Sequence, residues 1–342
     1  MTETVTFVRP AEAPSLEKRL EMLREVLRPK PAPPAVVSAC APSPDFPGVA
    51  APAGHLARWL AEELGRRIGI AFTESFRIKL DIVASTLPAG ELGHLTGRLA
   101  GLDTSHPEWL SLIETLTVHE TYFMRDPAQF DQVRRHALAR IIEVRKTHPL
   151  PWLRLWSAAC STGEEAYSLA ILALEALAEA READFDATGT IRLRRPWVIE
   201  VLGSDISRQA IRIAQEGVYR EGGLSSFRNL PHQYRLFFER VATQRDGATG
   251  GGWRVRDDVR RLIKFQQYNL MSSQPPGRHF DVVFCRNVLI YFDAAGRHHV
   301  FNLMHQALTS GGYAVFGPTD VVDDPNLFKP QWGPSSVIYQ KM

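Results

Sequence analysis

Apolar positions change their period three times along the chain. Leu16, Leu20, Leu23 and Leu27 recur at three- and four-residue spacings, which predicts a short amphipathic helix over residues 15–27. Residues 29–52 are dense in Pro and Ala without a period, and so predict an extended, semi-rigid linker. From His55 to Lys146 the spacing is helical: Leu56, Leu60, Leu64 and Ile68 repeat every four residues. Pro107 and Pro127 suit first-turn positions, the latter behind Asp126 as N-cap. Beyond Pro151, short apolar strands alternate with amphipathic helices, at Leu153–Trp156, Val198–Gly203, Leu262–Gln266, Phe280–Cys285 and Tyr313–Gly317. That alternation predicts a parallel sheet covered by helices. Residues 218–261, with a hairpin signal at Asp246-Gly247, predict a small antiparallel excursion between the second and third strands.

In an open α/β sheet the ligand lies at the carboxyl ends of the strands. The first strand runs into Ser157-Ala158-Ala159-Cys160-Ser161-Thr162-Gly163-Glu164-Glu165, small residues with one glycine, and the following helix opens on two acids. Acids at a helix N-terminus repel phosphate and suit a cationic ligand, although they also favour such positions for purely structural reasons. S-adenosylmethionine carries a sulfonium and an ammonium and no phosphate. Asp205 closes the second strand, where a carboxylate either hydrogen-bonds ribose hydroxyls or caps the next helix. Phe280–Cys285 leads directly into Arg286 and Asn287, polar groups that need partners if buried. Ahead of the sheet, Tyr122 and Phe123 stand beside Arg125, whose guanidinium suits either a carboxylate ligand or an interdomain ion pair.

Composition narrows the picture. The 342 residues are 44% hydrophobic and 23% charged, as expected of a globular chain of two domains plus extras. Lys+Arg 40 against Asp+Glu 38 leaves a net charge of +2, no global field for nucleic acid or an anionic membrane. Cys40, Cys160 and Cys285 are scattered without zinc-binding spacing, so no metal is expected and the thiols read as reduced. No secretory pattern opens the chain and no apolar run is long enough to span a bilayer, so the expectation is a soluble cytoplasmic protein without membrane insertion.

Taken together, residues 120–127 (Glu-Thr-Tyr-Phe-Met-Arg-Asp-Pro), 156–165 (Trp-Ser-Ala-Ala-Cys-Ser-Thr-Gly-Glu-Glu), Ser204-Asp205-Ile206 and 284–293 (Phe-Cys-Arg-Asn-Val-Leu-Ile-Tyr-Phe-Asp) resemble the motifs of the chemotaxis receptor methyltransferase family, CheR, in order and spacing. The resemblance covers roughly His55 to the C-terminus. It implies an α/β architecture: an all-helical N-terminal domain over 55–148, then a doubly wound, Rossmann-like methyltransferase domain over 149–342 with an antiparallel β-subdomain inserted at 218–261; residues 1–54, ahead of the resemblance, read from their own pattern as helix and linker. It implies S-adenosylmethionine as cofactor, S-adenosylhomocysteine as product, and the glutamate side chain of a chemotaxis receptor or other signalling protein as methyl acceptor. By the same resemblance Thr121, Arg125, Glu165, Asp205, Asn269, Leu270, Arg286 and Asn287 bind the cofactor, and Arg125 and Tyr291 lie near the transferred methyl as the catalytic pair.

Three departures stand out. His119 replaces a small polar residue, Gly317-Pro318-Thr319-Asp320 replaces Gly-His-Ser-Glu, and Arg77-Ile78-Lys79-Leu80 is followed by Asp81 to Thr86 where the family has an Arg-rich helix face. Losing that basic row weakens steering toward an acidic receptor bundle. Arg134, Arg135, Arg140 and Arg145 read as a solvated helix face. A long glycine-rich hairpin at Thr243–Gly252 points to substrate binding independent of a receptor tether, and the 15–27 helix to a partner of its own. The alternative reading is a non-enzymatic signalling module that binds S-adenosylmethionine or its demethylated product, or a methyltransferase with a non-receptor substrate. Nucleic acid is not expected as a partner, for want of a basic stripe interleaved with aromatics.

Overall fold

The computed structural model describes residues 45–48, 51, 53–71, 78, 80, 91–104, 106–117, 120–186, 188–220, 226–245, 248–320, 322 and 324–342. The expected helix over 15–27, most of the 29–52 stretch, most of the 77–86 row, His119 and the Asp246-Gly247 turn lie outside them. The described chain divides into two compact units, one of residues 120–290 and 298–342, the other of residues 45–117 and 291–297.

In chain order the strands of the larger unit are β1 (Trp152–Ala158), β2 (Ala183–Phe185), β3 (Ile191–Leu193), β4 (Val198–Asp205), β5 (Val218–Arg220), β6 (Phe238–Arg245), β7 (Ala248–Val255), β8 (Ile263–Gln267), β9 (Phe280–Cys285), β10 (Leu308–Phe316), β11 (Phe328–Trp332) and β12 (Val337–Lys341). The main sheet has the order β11-β12-β10-β9-β1-β4-β8. β1 pairs in parallel with β4 and β9, β4 with β8 and β9 with β10, while β12 runs antiparallel to both β10 and β11. Every residue of β9 is buried, which is why Phe280–Cys285 is apolar at every position but Asp281 rather than alternating. The expected insert is present as the antiparallel sheet β5-β7-β6, with β6 and β7 paired from Phe238↔Val255 to Arg245↔Ala248.

Helix Glu164–Glu179 covers the sheet and is buried along nearly all its length, because its alanines and leucines leave little polar surface to solvate. The helix from Pro127 to Arg145, π-wound over Val133–Leu138, belongs to this unit's core through Phe130, Val133, Ala137, Leu138 and Ile142. At its end Arg145 pairs with the fully buried Asp281 at the start of β9, whose carboxylate also accepts the backbone N–H of Arg154 at 2.8 Å. The expected solvated face holds for Arg135, 69% exposed and paired with Asp131 at 2.8 Å, but not for Arg134 and Arg145, whose side chains are 15% and 14% exposed because they reach Asp131 and Glu179 and the buried Asp281.

In the smaller unit Leu56, Leu60, Leu64 and Ile68 form the buried stripe of helix Ala53–Ile68, and helices Glu91–Ala100 and Pro107–Leu116 follow. Pro107 stands in the first turn, His106 Nδ1 caps by accepting Glu108 N–H at 3.3 Å, and Trp109 Nε1 donates to Leu99 O at 2.9 Å. Residues 291–297 join this unit: Ala71 N donates to Tyr291 O at 2.6 Å, and Ile70 bridges Phe292. No helix among the described residues is long and apolar enough to cross a membrane.

Candidate functional site

The chain proceeds from β1 outward to β4 and β8, then returns to the other side of β1 for β9 and β10, so the order reverses at β1 and opens a crevice at the carboxyl ends. The loop after β1 lines that crevice with backbone. Ala159, Ser161 and Gly163 all take positive φ, at 59°, 50° and 97°. Each left-handed non-glycine residue costs on the order of 1 kcal/mol, so the surroundings must hold this shape. At Gly163 a side chain is sterically excluded, since a Cβ would stand 2.7 Å from Ala214 Cβ. One glycine suffices because one position alone combines positive φ with close packing.

The loop is held by a buried polar network. Both oxygens of Asp205 accept backbone N–H groups, from Ser161 at 2.8 Å and Ser207 at 2.9 Å, so the carboxylate joins the first loop to the end of β4. Capping of the next helix falls to Ser207, which accepts Ala210 N–H at 3.0 Å. Glu165 accepts Ser157 Oγ at 2.7 Å and Arg286 Nε at 2.8 Å. Arg286, its side chain 1% exposed, also donates to Arg125 O at 2.8 Å, Gln129 Oε1 at 3.0 Å and Asp126 Oδ2 at 3.2 Å, and its guanidinium lies 5.0 Å from the Phe130 ring. Asp126 occupies the N-cap position with φ 60° but makes no side-chain cap bond; its carboxylate is given to Arg286 instead. Asn287 follows with φ 58°, and Gly317 packs close beside it: a Cβ there would stand 3.1 Å from Asn287 N and 2.8 Å from Asp320 Oδ2. The departing sequence Gly317–Asp320 is a turn closed by Asp320 Oδ2, which accepts Gly317 N–H at 2.9 Å.

Asn269 stands at the next strand end, where Tyr268 N–H binds Asp205 O at 2.8 Å; Asn269 Oδ1 accepts Met271 N–H at 2.9 Å, and Leu270 is buried. In segment 120–126 some side chains are more lightly held. Thr121, Tyr122 and Arg125 are half-buried, Arg125 donates to Glu120 O at 3.2 Å, and Tyr122 lies under Arg228 at 4.2 Å. The structure thus brings together Arg125, Glu165, Asp205, Asn269, Arg286 and Asn287 around the strand ends. Tyr291 belongs to the smaller unit.

Sequence reading missed Ser157, Gln129, Ser161 and Ser226, whose roles come from partners distant in the chain. Glu164, treated there only as half of an acidic pair, is 1% exposed and accepts Thr162 Oγ1 and Ser226 Oγ, each at 2.6 Å; burial pushes its pKa up to about 7. The residues fit a cationic nucleoside without phosphate. Three buried carboxylates surround a strained loop, and Ser161 Oγ is buried without a hydrogen-bond partner among the described residues, a polar demand that a bound group would meet.

Comparison with known proteins agrees with this chemistry. The family described as "CheR methyltransferase, SAM binding domain" matches residues 119–335, more than half of the chain. A chemotaxis protein methyltransferase of Vibrio parahaemolyticus is 31% identical over 215 residues, 62% of this chain and 68% of that protein. Chemotaxis protein methyltransferase 1 of Pseudomonas aeruginosa is 29% identical over 231 residues, 67% and 76% of the two chains. A chemotaxis protein methyltransferase of Borreliella burgdorferi is 27% identical over 221 residues, 64% and 70%. With the motifs gathered at the carboxyl ends of a doubly wound sheet and the family match spanning them, the chain belongs to the CheR methyltransferase family and uses S-adenosylmethionine as methyl donor.

Proposed function

We propose that the protein transfers a methyl group from S-adenosylmethionine to a glutamate side-chain carboxylate of a chemotaxis receptor or related signalling protein, giving a glutamyl methyl ester. The observation that carries this reading is the donor set at the strand ends, carboxylates and strained backbone with no phosphate cradle, in a chain related to chemotaxis protein methyltransferases. The cofactor supplies an electrophilic methyl on its sulfonium. A glutamate carboxylate is ionised at neutral pH and attacks that carbon directly. The new C–O bond forms as the C–S bond breaks, the electron pair passes to sulfur, and S-adenosylhomocysteine leaves. No proton moves, so the residues have to align the reactants and exclude water rather than act as general bases.

In this reading Asp205, Glu165, Asn269, Leu270, Arg286 and Asn287 form the cofactor side of the site. Asp205 and Glu165 are already bonded to the protein through each oxygen and retain a second lone pair on each for a ligand. Thr121 and Arg125 contact the cofactor from segment 120–126, and Arg125 and Tyr291 orient the acceptor. Docking is independent of a receptor tether, a reading supported by the eight-residue arms of the β6–β7 hairpin. The test is incubation of cell extract with methyl-labelled cofactor. A labelled protein band that releases methanol in base is the expected result; a base-stable label, or none on protein, overturns the proposal.

A further inference from the structure

We propose that Glu164 is a positioning residue for cofactor binding: its buried carboxyl clamps the β1 loop to the insert, and through the insert it sets segment 120–123. One oxygen accepts Thr162 Oγ1 and the other accepts Ser226 Oγ, both at 2.6 Å. Ser226 O in turn accepts Phe123 N–H at 2.9 Å. Two residues on, Arg228 pairs with Glu120 at 2.6 Å and lies over Tyr122. Residues 226–228 therefore grip 120–123 at three places, and the clamp ties them directly to the loop, beside the Tyr219 hydroxyl of β5, which donates to Thr162 O at 2.7 Å. From the other side, Ser168 Oγ accepts Met124 N–H at 3.0 Å and donates to Glu164 O at 2.7 Å. The inference rests on the proposed role of Thr121 and Arg125 as cofactor contacts.

The clamp is also titratable. Burial raises the Glu164 carboxyl to about 7, against the opposing effects of the Ser226 and Thr162 hydroxyls and the Arg228 charge. Cys160, Tyr167 and Tyr219 are the other titratable groups facing it, and burial raises each of them, so they stay neutral through this range. Arg260 acts on the two tyrosines, and Glu165 next in sequence is turned to Ser157 and Arg286. With Glu164 ionised, both hydroxyl bonds become charge-assisted and shorter, and roughly twice as strong. Cofactor affinity therefore rises through about pH 7 while fold stability falls, a divergence that a purely structural carboxyl would not produce.

The test is calorimetric titration of the full chain with S-adenosylmethionine from pH 6 to 8. Ser226→Ala, which cuts the clamp at the insert, is expected to weaken binding about tenfold, the effect of one charge-assisted bond. Glu164→Gln keeps both hydroxyl partners and is expected to bind with a flattened pH profile. Wild-type affinity in Ser226→Ala, or a Glu164→Gln profile as steep as wild type, overturns the inference. Thr121→Ala and Arg125→Ala are titrated alongside. If these weaken binding and Ser226→Ala does not, the clamp fails alone; if neither weakens it, the proposed contacts of segment 120–126 fail as well.

Discussion

The floor of the crevice and segment 120–126 carry neighbouring parts of one proposed site but are held very differently. In the floor, Ser157, Glu165, Arg286 and Asp205 have their polar atoms bound to other parts of the protein. In the segment, the Arg125 guanidinium donates to Glu120 O at 3.2 Å and lies 5.7 Å from the Tyr122 ring, and Thr121 is half-buried. A floor residue is thus structural before it is functional, whereas the Thr121 and Arg125 side chains stand on a segment anchored through its other residues. Substitutions in the two regions should separate stability from activity.

The largest effect is expected at Arg286. Arg286→Ala strands the buried Glu165 carboxylate, and breaking such a pair costs about 3–5 kcal/mol, so denaturant unfolding should show a loss of that order. Little change in unfolding would erase the distinction between the regions. Next is the stability profile of the wild-type chain. Because Glu164 is raised in the fold from 4.5 to about 7, its contribution is fully present below pH 4.5 and lost as pH rises through about 7, by about 3 kcal/mol across the window. Glu164→Gln should remove that slope in urea titrations at successive pH values. In the segment, Arg125→Ala should lower kcat/KM for methyl transfer about a hundredfold, a loss of about 3 kcal/mol in the transition state, with the unfolding midpoint unchanged. A matching loss of stability would place Arg125 with the floor. Smallest is the floor residue Asp205: Asp205→Asn leaves one backbone N–H poorly paired and should cost about 1–3 kcal/mol, read from the same unfolding curves.

Much of the fold was legible because it is written in local pattern. The five parallel strands were visible as short apolar runs, and the insert as a break between two of them bearing a turn signal. The edge strand β11 and its neighbour β12 were not, since Pro330 and the polar positions Lys329, Gln331 and Gln340 blur the alternation of both strands. The helix from Pro127 to Arg145 reads as helical either way; its place in the α/β core depends on which face meets the sheet. Asp126 shows the limit for the site. A side chain before a first-turn proline suggests a cap, yet the stronger partner is Arg286, 160 residues away. Asp205 allowed two readings; capping falls to Ser207, and the bond to Ser161, 44 residues back, lay outside both. Such partners are fixed by tertiary approach, which no local spacing encodes.

The central claim concerns where the methyl group lands, and mass-spectrometric mapping of the modified protein tests it most directly. The expected result is a methyl ester on a glutamate side chain, formed about a hundredfold more slowly when Arg125→Ala is used. A methyl group on nitrogen or sulfur, or on a small molecule alone, would contradict the account.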